Sequence, residues 1–227
     1  MDLLLYVGML ILDYLIGSIP FGFIIVRLRT GKDIRNVESG RTGGTNAMRA
    51  AGLWAGIVTA VLDFIKGSGA VWLAKTLFPL ANHPGNAWMH VLAPILVILG
   101  HNFSIFLIER NQKGELHLRG GAGGAPCVGG AFGLWAPSSF VILPLAAAIF
   151  YFIGYASVTT MSVALITAVL FAVLGGIGMN PWQYALYGIL AEFLIVWSLR
   201  PNIKRLIAGN ERPVGWRARR FKKAPEN

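Results

Sequence analysis

The chain is built of long apolar runs that are interrupted by short polar or basic segments. A membrane-spanning helix needs about 20 mostly apolar residues to cross roughly 30 Å of hydrocarbon. Hydrophobic residues make up 55% of the 227 residues and charged residues only 13%, which is too apolar for one soluble core of this length. The sequence therefore predicts an all-α integral membrane protein. Its apolar runs are Leu3–Leu28, Leu53–Leu80, Trp88–Ile108, Cys127–Leu174 and Trp182–Leu199.

The first apolar run lacks the basic start and the small-residue cleavage site of a signal peptide, so we expect it to remain in the membrane. Gly17-Ser-Ile-Pro20 interrupts this run. Because Pro20 has no backbone N–H, the sequence predicts a kink there.

Charge and length together predict the topology. The run Cys127–Leu174 would extend about 70 Å as one helix, so it must cross more than once. Basic residues concentrate after the first and third runs and in the tail at about residues 200–227, and such segments stay in the cytoplasm. An outside N terminus and a cytoplasmic C terminus require an odd number of crossings, which favours breaks at Pro137–Ser139 and Gly154-Tyr155. We therefore expect seven transmembrane helices in a single domain, residues 1–227.

The formal net charge of +10 does not indicate a nucleic-acid-binding protein, because the basic residues lie between apolar runs and not over one soluble face. Cys127 is the only cysteine, which excludes an intramolecular disulfide. We see neither a cysteine or histidine cluster for a metal nor a Ser-His-Asp set, and we expect no cofactor.

The first basic loop, Ser39–Arg49, combines glycines with hydroxyl and basic side chains. Converging backbone N–H groups at a helix N terminus favour an anion such as phosphate. Thr45 and Arg49 would share one face of a helix, and Arg49 would hold a phosphate through two parallel hydrogen bonds. The alternative is a flexible loop whose basic residues only mark the topology.

A second loop contains Gly120–Gly124, whose spacing fits neither a P-loop nor a dinucleotide site. These glycines either cradle a phosphate or allow close helix packing. Asp63 and Lys66 lie three apart within an apolar run, so we expect a buried polar pair. Three further ionisable residues within apolar runs are candidates for the same polar network: Asp13, His101 and Glu192.

Six short segments with distinctive polar, glycine or proline residues follow one another along the chain: Gly17–Gly22, Asp33–Arg49, Leu62–Gly67, Gly100–Leu107, Tyr155–Ser157 and Arg200–Glu211. In this order they resemble the motifs of the bacterial membrane glycerol-3-phosphate acyltransferases that use acyl phosphate, usually called PlsY. The resemblance runs nearly end to end, and its specificity lies in the ordered combination.

The resemblance implies seven helices in the bacterial inner membrane with a cytoplasmic active site, surrounded by membrane lipids. It also implies transfer of a fatty acyl group from acyl phosphate to the sn-1 hydroxyl of glycerol 3-phosphate, which gives lysophosphatidate and phosphate. Because phosphate is a good leaving group, catalysis needs mainly juxtaposition and charge stabilisation, without a protein nucleophile. The oligomeric state stays open.

The positions that match the family's motifs imply specific roles. The expected catalytic residues are Ser39, Arg49, Ser157 and Asn202. The expected phosphate-binding residues are Gly40, Gly43, Thr45, Asn46, Gly120, Gly121, Gly123 and Gly124. Glu211 is expected to be structural.

Some positions depart from the family pattern. Ala122 and Leu199 stand where the family has Lys and His, Arg41 stands where it has Asn, and the segment Glu109–Arg119 is extra. The candidates to supply the missing charge are Arg41, Lys113, His117 and Arg119.

Three functions therefore stay open. The first is an active acyltransferase with a rearranged phosphate site, and the second is a family member that has lost catalysis and binds lipid precursors or a partner enzyme. The third is a small-solute carrier, although the repeated halves typical of carriers are not evident in the sequence.

Overall fold

The computed structural model of the protein describes residues 2–110 and 114–221 and is mostly helical. The helices are α1 (Asp2–Ser18), α2 (Phe21–Thr30), α3 (Gly44–Ala51), α4 (Leu53–Leu77), α5 (Ala87–Asn102), α6 (Gly124–Leu134), α7 (Ser139–Ala148), α8 (Ala156–Gly176), α9 (Gln183–Ile207) and α10 (Gly215–Phe221). A π-helical turn, Ile149–Ile153, continues α7.

Five helical segments are long and apolar enough to cross a membrane among the residues that the structure describes. They are Leu3–Thr30, Leu53–Leu77, Pro84–Leu107, Ala136–Ile153 and Ala156–Gly176. The apolar helix α6 is shorter. Helix α9 is 25 residues long, but it carries Glu192 and ends in basic residues.

The predicted breaks are present. Helices α1 and α2 are separated at Ile19-Pro20, which confirms the kink. The ammonium group of Lys66 donates to the carbonyl oxygens of Gly17 at 2.9 Å and Ile19 at 3.4 Å, so it satisfies acceptors that the break releases. A second break separates α6 from α7, and a third lies at Gly154, whose φ of 74° is left-handed and favours glycine.

The expectation of an all-α fold is corrected at one place. Strands β1 (Ile108–Arg110) and β2 (Leu116–Leu118) pair antiparallel, with Glu109 opposite His117. This hairpin lies in the extra segment, and Arg119 fastens its base through backbone hydrogen bonds to Leu107 and Ser104. Lys113, a candidate for the missing charge, lies outside the described residues, as do residues 222–227 of the basic tail.

Close helix packing places the loops around one region. The most extensive helix contacts are those of α4 with α6, α8 with α9 and α1 with α5. Small residues permit this approach, because a methyl group on Gly67 of α4 would overlap the Pro126 carbonyl of α6. The first turns of α3, α6 and α8 and the last part of α9 are thereby gathered at the same end of the bundle, where they line one cavity.

Candidate active site

A cavity of about 320 Å³, here called the main cavity, lies among the first turns of three helices. Gly44 and Thr45 come from α3, Gly124 from α6, and Ser157 from α8. Backbone N–H groups in the first turn of a helix have no acceptor within that helix, and the helix dipole favours negative charge there. The main cavity is therefore suited to bind an anion.

The first loop owes its conformation largely to Asn46. The amide nitrogen of this buried side chain donates to the carbonyl oxygens of Val37 at 3.0 Å and Arg41 at 2.8 Å, and more weakly to that of Ile34 at 3.3 Å. The backbone of Thr42 then donates to the Gly120 carbonyl at 3.2 Å, which joins the first loop to the second. The amide nitrogen of Asn46 is thus committed to shaping the loop, whereas its amide oxygen has no hydrogen-bond partner among the described residues.

Arg49 and Ser157 supply polar groups that are free to bind a ligand. Both line the main cavity, and neither side chain makes a hydrogen bond or an ion pair within the described part of the chain. Burial lowers the pKa of Arg49, although the negative charge of Glu211 opposes this shift. An anion in the main cavity would offset the cost of burying this cation.

Asn202 is held by a charged partner. Its amide nitrogen donates to the Glu211 carboxylate at 2.9 Å, and Glu211 also pairs with Arg205 at 3.3 Å. The amide oxygen of Asn202 accepts from Arg41 Nε at 3.1 Å. Glu211 therefore fixes which way the Asn202 amide faces at the edge of the main cavity.

Apolar side chains form another wall of the main cavity. Leu53 and Ile57 of α4 lie on this wall together with Phe150. Leu53 is 65% exposed and Ile57 43% exposed, so the wall continues onto the apolar outer surface of α4. An alkyl chain is able to leave the polar part of the cavity along this surface.

A buried polar cluster borders the main cavity, which both Asp63 and His101 line. Lys66 Nζ lies 2.9 Å from Asp63 Oδ1 and 2.9 Å from His101 Nδ1, so the predicted pair is present with His101 as a third member. Asp13 and Glu192 do not join this cluster within the described residues, which corrects that expectation. Both carboxylate oxygens of Asp13 are buried without a hydrogen bond to those residues.

The glycines of the second loop divide between two cavities. Gly123 and Gly124 line the main cavity, whereas Gly120 and Gly40 line a neighbouring cavity of about 590 Å³, here called the basic cavity. Gly121 lies between them, where its N–H donates to the His101 carbonyl at 2.8 Å. The basic cavity has six positively charged or titratable side chains and no acidic residue among its described lining residues: Arg41, His117, Arg119, Arg200, Lys204 and Arg205.

Comparison with known proteins identifies the family of this chain. The family model described as Glycerol-3-phosphate acyltransferase matches residues 7–209. The chain belongs to this acyltransferase family. A glycerol-3-phosphate acyltransferase of Rhodopseudomonas palustris is 33% identical over 211 residues, which cover 93% of this chain and 97% of the relative. One of Thermus thermophilus is 36% identical over 210 residues, which cover 92% and 95%.

Solved structures agree with this family membership. The glycerol 3-phosphate form of PlsY, an integral membrane glycerol 3-phosphate acyltransferase, matches with a TM-score of 0.77 and 28% identity. Its lysophosphatidic acid form matches with a TM-score of 0.75 and 26% identity. Each comparison covers 95% of this chain and 98% of the other chain. With its apolar helices, the chain is a multi-pass membrane protein of the acyltransferase family.

In this family member, most of the residues that were expected to form the site are close together. Those that line the main cavity are Ser39, Gly43, Thr45, Asn46, Arg49, Asp63, Gly123, Gly124, Ser157, Asn202 and Glu211. Gly40 and Gly120 face the basic cavity instead, and Lys66 lies behind Asp63. The roles of these residues stay predictions.

Sequence reasoning missed several contributors to the site, among them Ser198 and Phe150. Ser198 accepts a hydrogen bond from Arg41, but it stands within an apolar run without a motif of its own. Phe150 lines the main cavity from the π-helical turn after α7, and nothing in the local sequence distinguishes it from a lipid-facing residue. Within the described residues, no group of His, Cys, Asp or Glu is arranged to hold a metal ion.

Proposed function

We propose that this protein transfers a fatty acyl group from acyl phosphate to the sn-1 hydroxyl of glycerol 3-phosphate, releasing lysophosphatidate and inorganic phosphate. One observation supports this most: a cavity that is lined by three helix N termini and by Arg49, which has no ion-pair partner in the described part of the chain, continues into an apolar wall. A phosphorylated acyl donor needs both environments in one place. The proposal also agrees with the names of the relatives at about 33% identity over most of the chain.

Arg49 and the first turns of α3 and α6 bind phosphate in this proposal, with Gly43, Thr45 and the glycines of the second loop providing backbone or hydroxyl donors. Ser39 of the first loop and Asn202 of α9 position the substrates. The Ser157 hydroxyl, which is buried without a hydrogen-bond partner among the described residues, donates to a reacting oxygen.

The reaction is a direct displacement. The glycerol hydroxyl oxygen bonds to the acyl carbon, the bond from that carbon to the phosphate oxygen breaks, and the hydroxyl proton leaves with a phosphate oxygen. Holding both substrates in contact lowers the barrier mainly by removing the entropy of encounter. The acyl chain lies along the apolar side chains of Leu53, Ile57 and Phe150.

The membrane arrangement belongs to the same proposal. Seven elements cross the bilayer: α1 with α2 as one broken helix, then α4, α5, α6, α7, α8 and α9. The N terminus lies outside, and the main cavity lies on the cytoplasmic side of a bacterial inner membrane, as the basic residues beside it favour. The chain forms one domain, and α3 and α10 stay on the cytoplasmic surface.

Two departures from the family pattern bear on activity. Ala122 and Leu199 line the main cavity, so no charge replaces the family's Lys and His at those positions. His117 and Arg119 line the basic cavity only, whereas Arg41 lines both cavities. These neutral positions favour the second candidate function, a family member that binds its substrates without turning them over.

A purified-protein assay separates the two functions. The protein is incubated with acyl phosphate and glycerol 3-phosphate beside Arg49→Ala, Ser39→Ala and a control, Arg29→Ala, which removes an exposed arginine at the end of α2. We expect lysophosphatidate from the wild type and the control, and strongly reduced product from the two cavity variants. Substrate binding without any product would instead establish the second function.

A further inference from the structure

Arg41 is bound by two segments that are far apart in sequence from its own loop. Its Nη1 group donates to the Gly121 carbonyl at 2.9 Å and to the Ser198 hydroxyl at 2.9 Å. Its Nε donates to Asn202 Oδ1 at 3.1 Å, and its Nη2 donates to the Ser198 carbonyl. All these acceptors are uncharged.

No carboxylate forms an ion pair with Arg41 within the described residues. Glu211 lies near enough to favour the cation, but its oxygens bond to Asn202 and Arg205. Burial lowers the pKa of the Arg41 guanidinium to about 10, and the positive charge of Arg205 adds to this shift. Arg41 is only partly buried, but a desolvated cation without a paired carboxylate is stabilised by an anion that binds beside it.

The wall next to Arg41 is where that anion belongs. Arg41 donates to the carbonyl of Gly121, which is followed by Ala122 and then by the first turn of α6. Ala122 and this first turn line the main cavity together with Arg41. Ala122 itself contributes no side-chain donor to this part of the cavity. Arg41 has four of its five N–H groups engaged, so one remains for a ligand.

We propose that Arg41 is the residue of this chain that binds a substrate phosphate beside the first turn of α6, in place of a cation at position 122. This assignment rests on the proposed function and names a ligand for it. The ligand chemistry is a terminal phosphate group, which acyl phosphate carries as an anhydride and glycerol 3-phosphate carries as an ester. Whichever substrate shows the larger rise in KM when Arg41 is changed is the one whose phosphate it binds.

The competing role for Arg41 is purely structural, since it ties together the first loop, the second loop and α9. Three variants separate the two roles: Arg41→Asn, Ala122→Lys and the double variant. Position 122 adjoins Gly121, so a lysine there places a cation at the same wall. It does not remake the hydrogen bonds of Arg41 to Ser198 and Asn202.

We expect Arg41→Asn to lower kcat/KM by about tenfold or more, as loss of a charged hydrogen bond does. In the double variant, kcat/KM recovers by at least half of that loss on a logarithmic scale. The melting temperature of the double variant does not recover and equals that of Arg41→Asn. Activity that falls with the melting temperature and is not regained in the double variant would overturn the assignment. So would Arg41→Asn with unchanged kcat/KM.

Binding measurements keep this test separate from that of the proposed function. Titration with glycerol 3-phosphate and with inorganic phosphate is measured calorimetrically on the detergent-purified wild type, Arg41→Asn and Arg29→Asn. We expect the affinity for at least one of the two ligands to fall about tenfold or more in Arg41→Asn only. This result would support Arg41 as a phosphate ligand even if the wild type formed no lysophosphatidate. Equal affinities in all three proteins would refute it.

Discussion

Ser157 has a buried hydroxyl group that is available to form a hydrogen bond with a ligand in the main cavity. Ser157 is 2% exposed, and its hydroxyl has no hydrogen-bond partner among the described residues. A buried hydroxyl without a partner costs about 1–3 kcal/mol. In the proposed function, a substrate oxygen completes the missing hydrogen bond when the cavity is filled.

Replacing Ser157 with alanine should therefore lower activity without lowering stability. We expect kcat/KM to fall about tenfold, because one donor to the reacting groups is lost, while the melting temperature stays the same or rises. Thr159→Ala on the same helix is the control, since its hydroxyl already bonds to the Tyr155 carbonyl. A Ser157→Ala enzyme with full activity would show that this hydroxyl does not contact the substrates.

Individual residues also mark the limit of prediction from sequence. Thr45 and Arg49 were expected on one face of a helix because helical spacing is local, and α3 confirms it. The contacts of Arg41 with Ser198 and Asn202 could not be predicted, since about 160 residues separate them. Such contacts depend on how the whole bundle packs, which no local pattern encodes.

Among the helices and strands, the breaks in helices were predictable from the sequence, whereas the pairing of strands and the contacts between helices were not. Proline and glycine interrupt helices for local reasons, so the separations near Pro20, Pro137 and Gly154 agree with the sequence. The β hairpin was missed because each strand has only three residues, and it depends on backbone bonds from Arg119 to Leu107 and Ser104. Glycine-mediated helix contacts also need the three-dimensional packing.

The contact between α4 and α6 gives a prediction with a matched control. Gly67 and Gly69 lie two residues apart on α4, but a methyl group on Gly67 would overlap the Pro126 carbonyl, whereas one on Gly69 would meet nothing within 4 Å. We expect Gly67→Ala to destabilise the protein by about 1–3 kcal/mol and Gly69→Ala to have little effect. Melting in detergent measures both.

Because α6 begins at the main cavity, Gly67→Ala should also reduce the activity of the protein that remains folded. Equal melting temperatures for the two variants would mean that α4 and α6 do not approach as closely as described. That result would also remove the reason for placing the start of α6 beside α3 and α8.

At the scale of the whole molecule, the two ends of the bundle differ in chemistry. The main and basic cavities, with the basic side chains that line them, lie at one end, and the connection between α4 and α5 lies at the other. This asymmetry favours a cytoplasmic position for the cavities, where water-soluble glycerol 3-phosphate is available.

Cysteine labelling tests this orientation. Asn82 and Lys32 are exposed and lie on opposite sides in the proposed topology, while the native Cys127 is buried. We expect a membrane-impermeant maleimide to label Asn82→Cys in intact cells with a permeable outer membrane, and Lys32→Cys only after the inner membrane is disrupted. The wild type provides the unlabelled control, and the reverse pattern would invert the topology.

The central claim is that one cavity holds both phosphorylated substrates at the same time, so that the acyl group passes directly between them. Initial rates of lysophosphatidate formation, measured over a grid of acyl phosphate and glycerol 3-phosphate concentrations, test this claim most directly. Direct transfer predicts double-reciprocal lines that intersect, with no acylated protein trapped when glycerol 3-phosphate is omitted. Parallel lines with a covalent acyl-protein, or no product at any concentration, would contradict the claim.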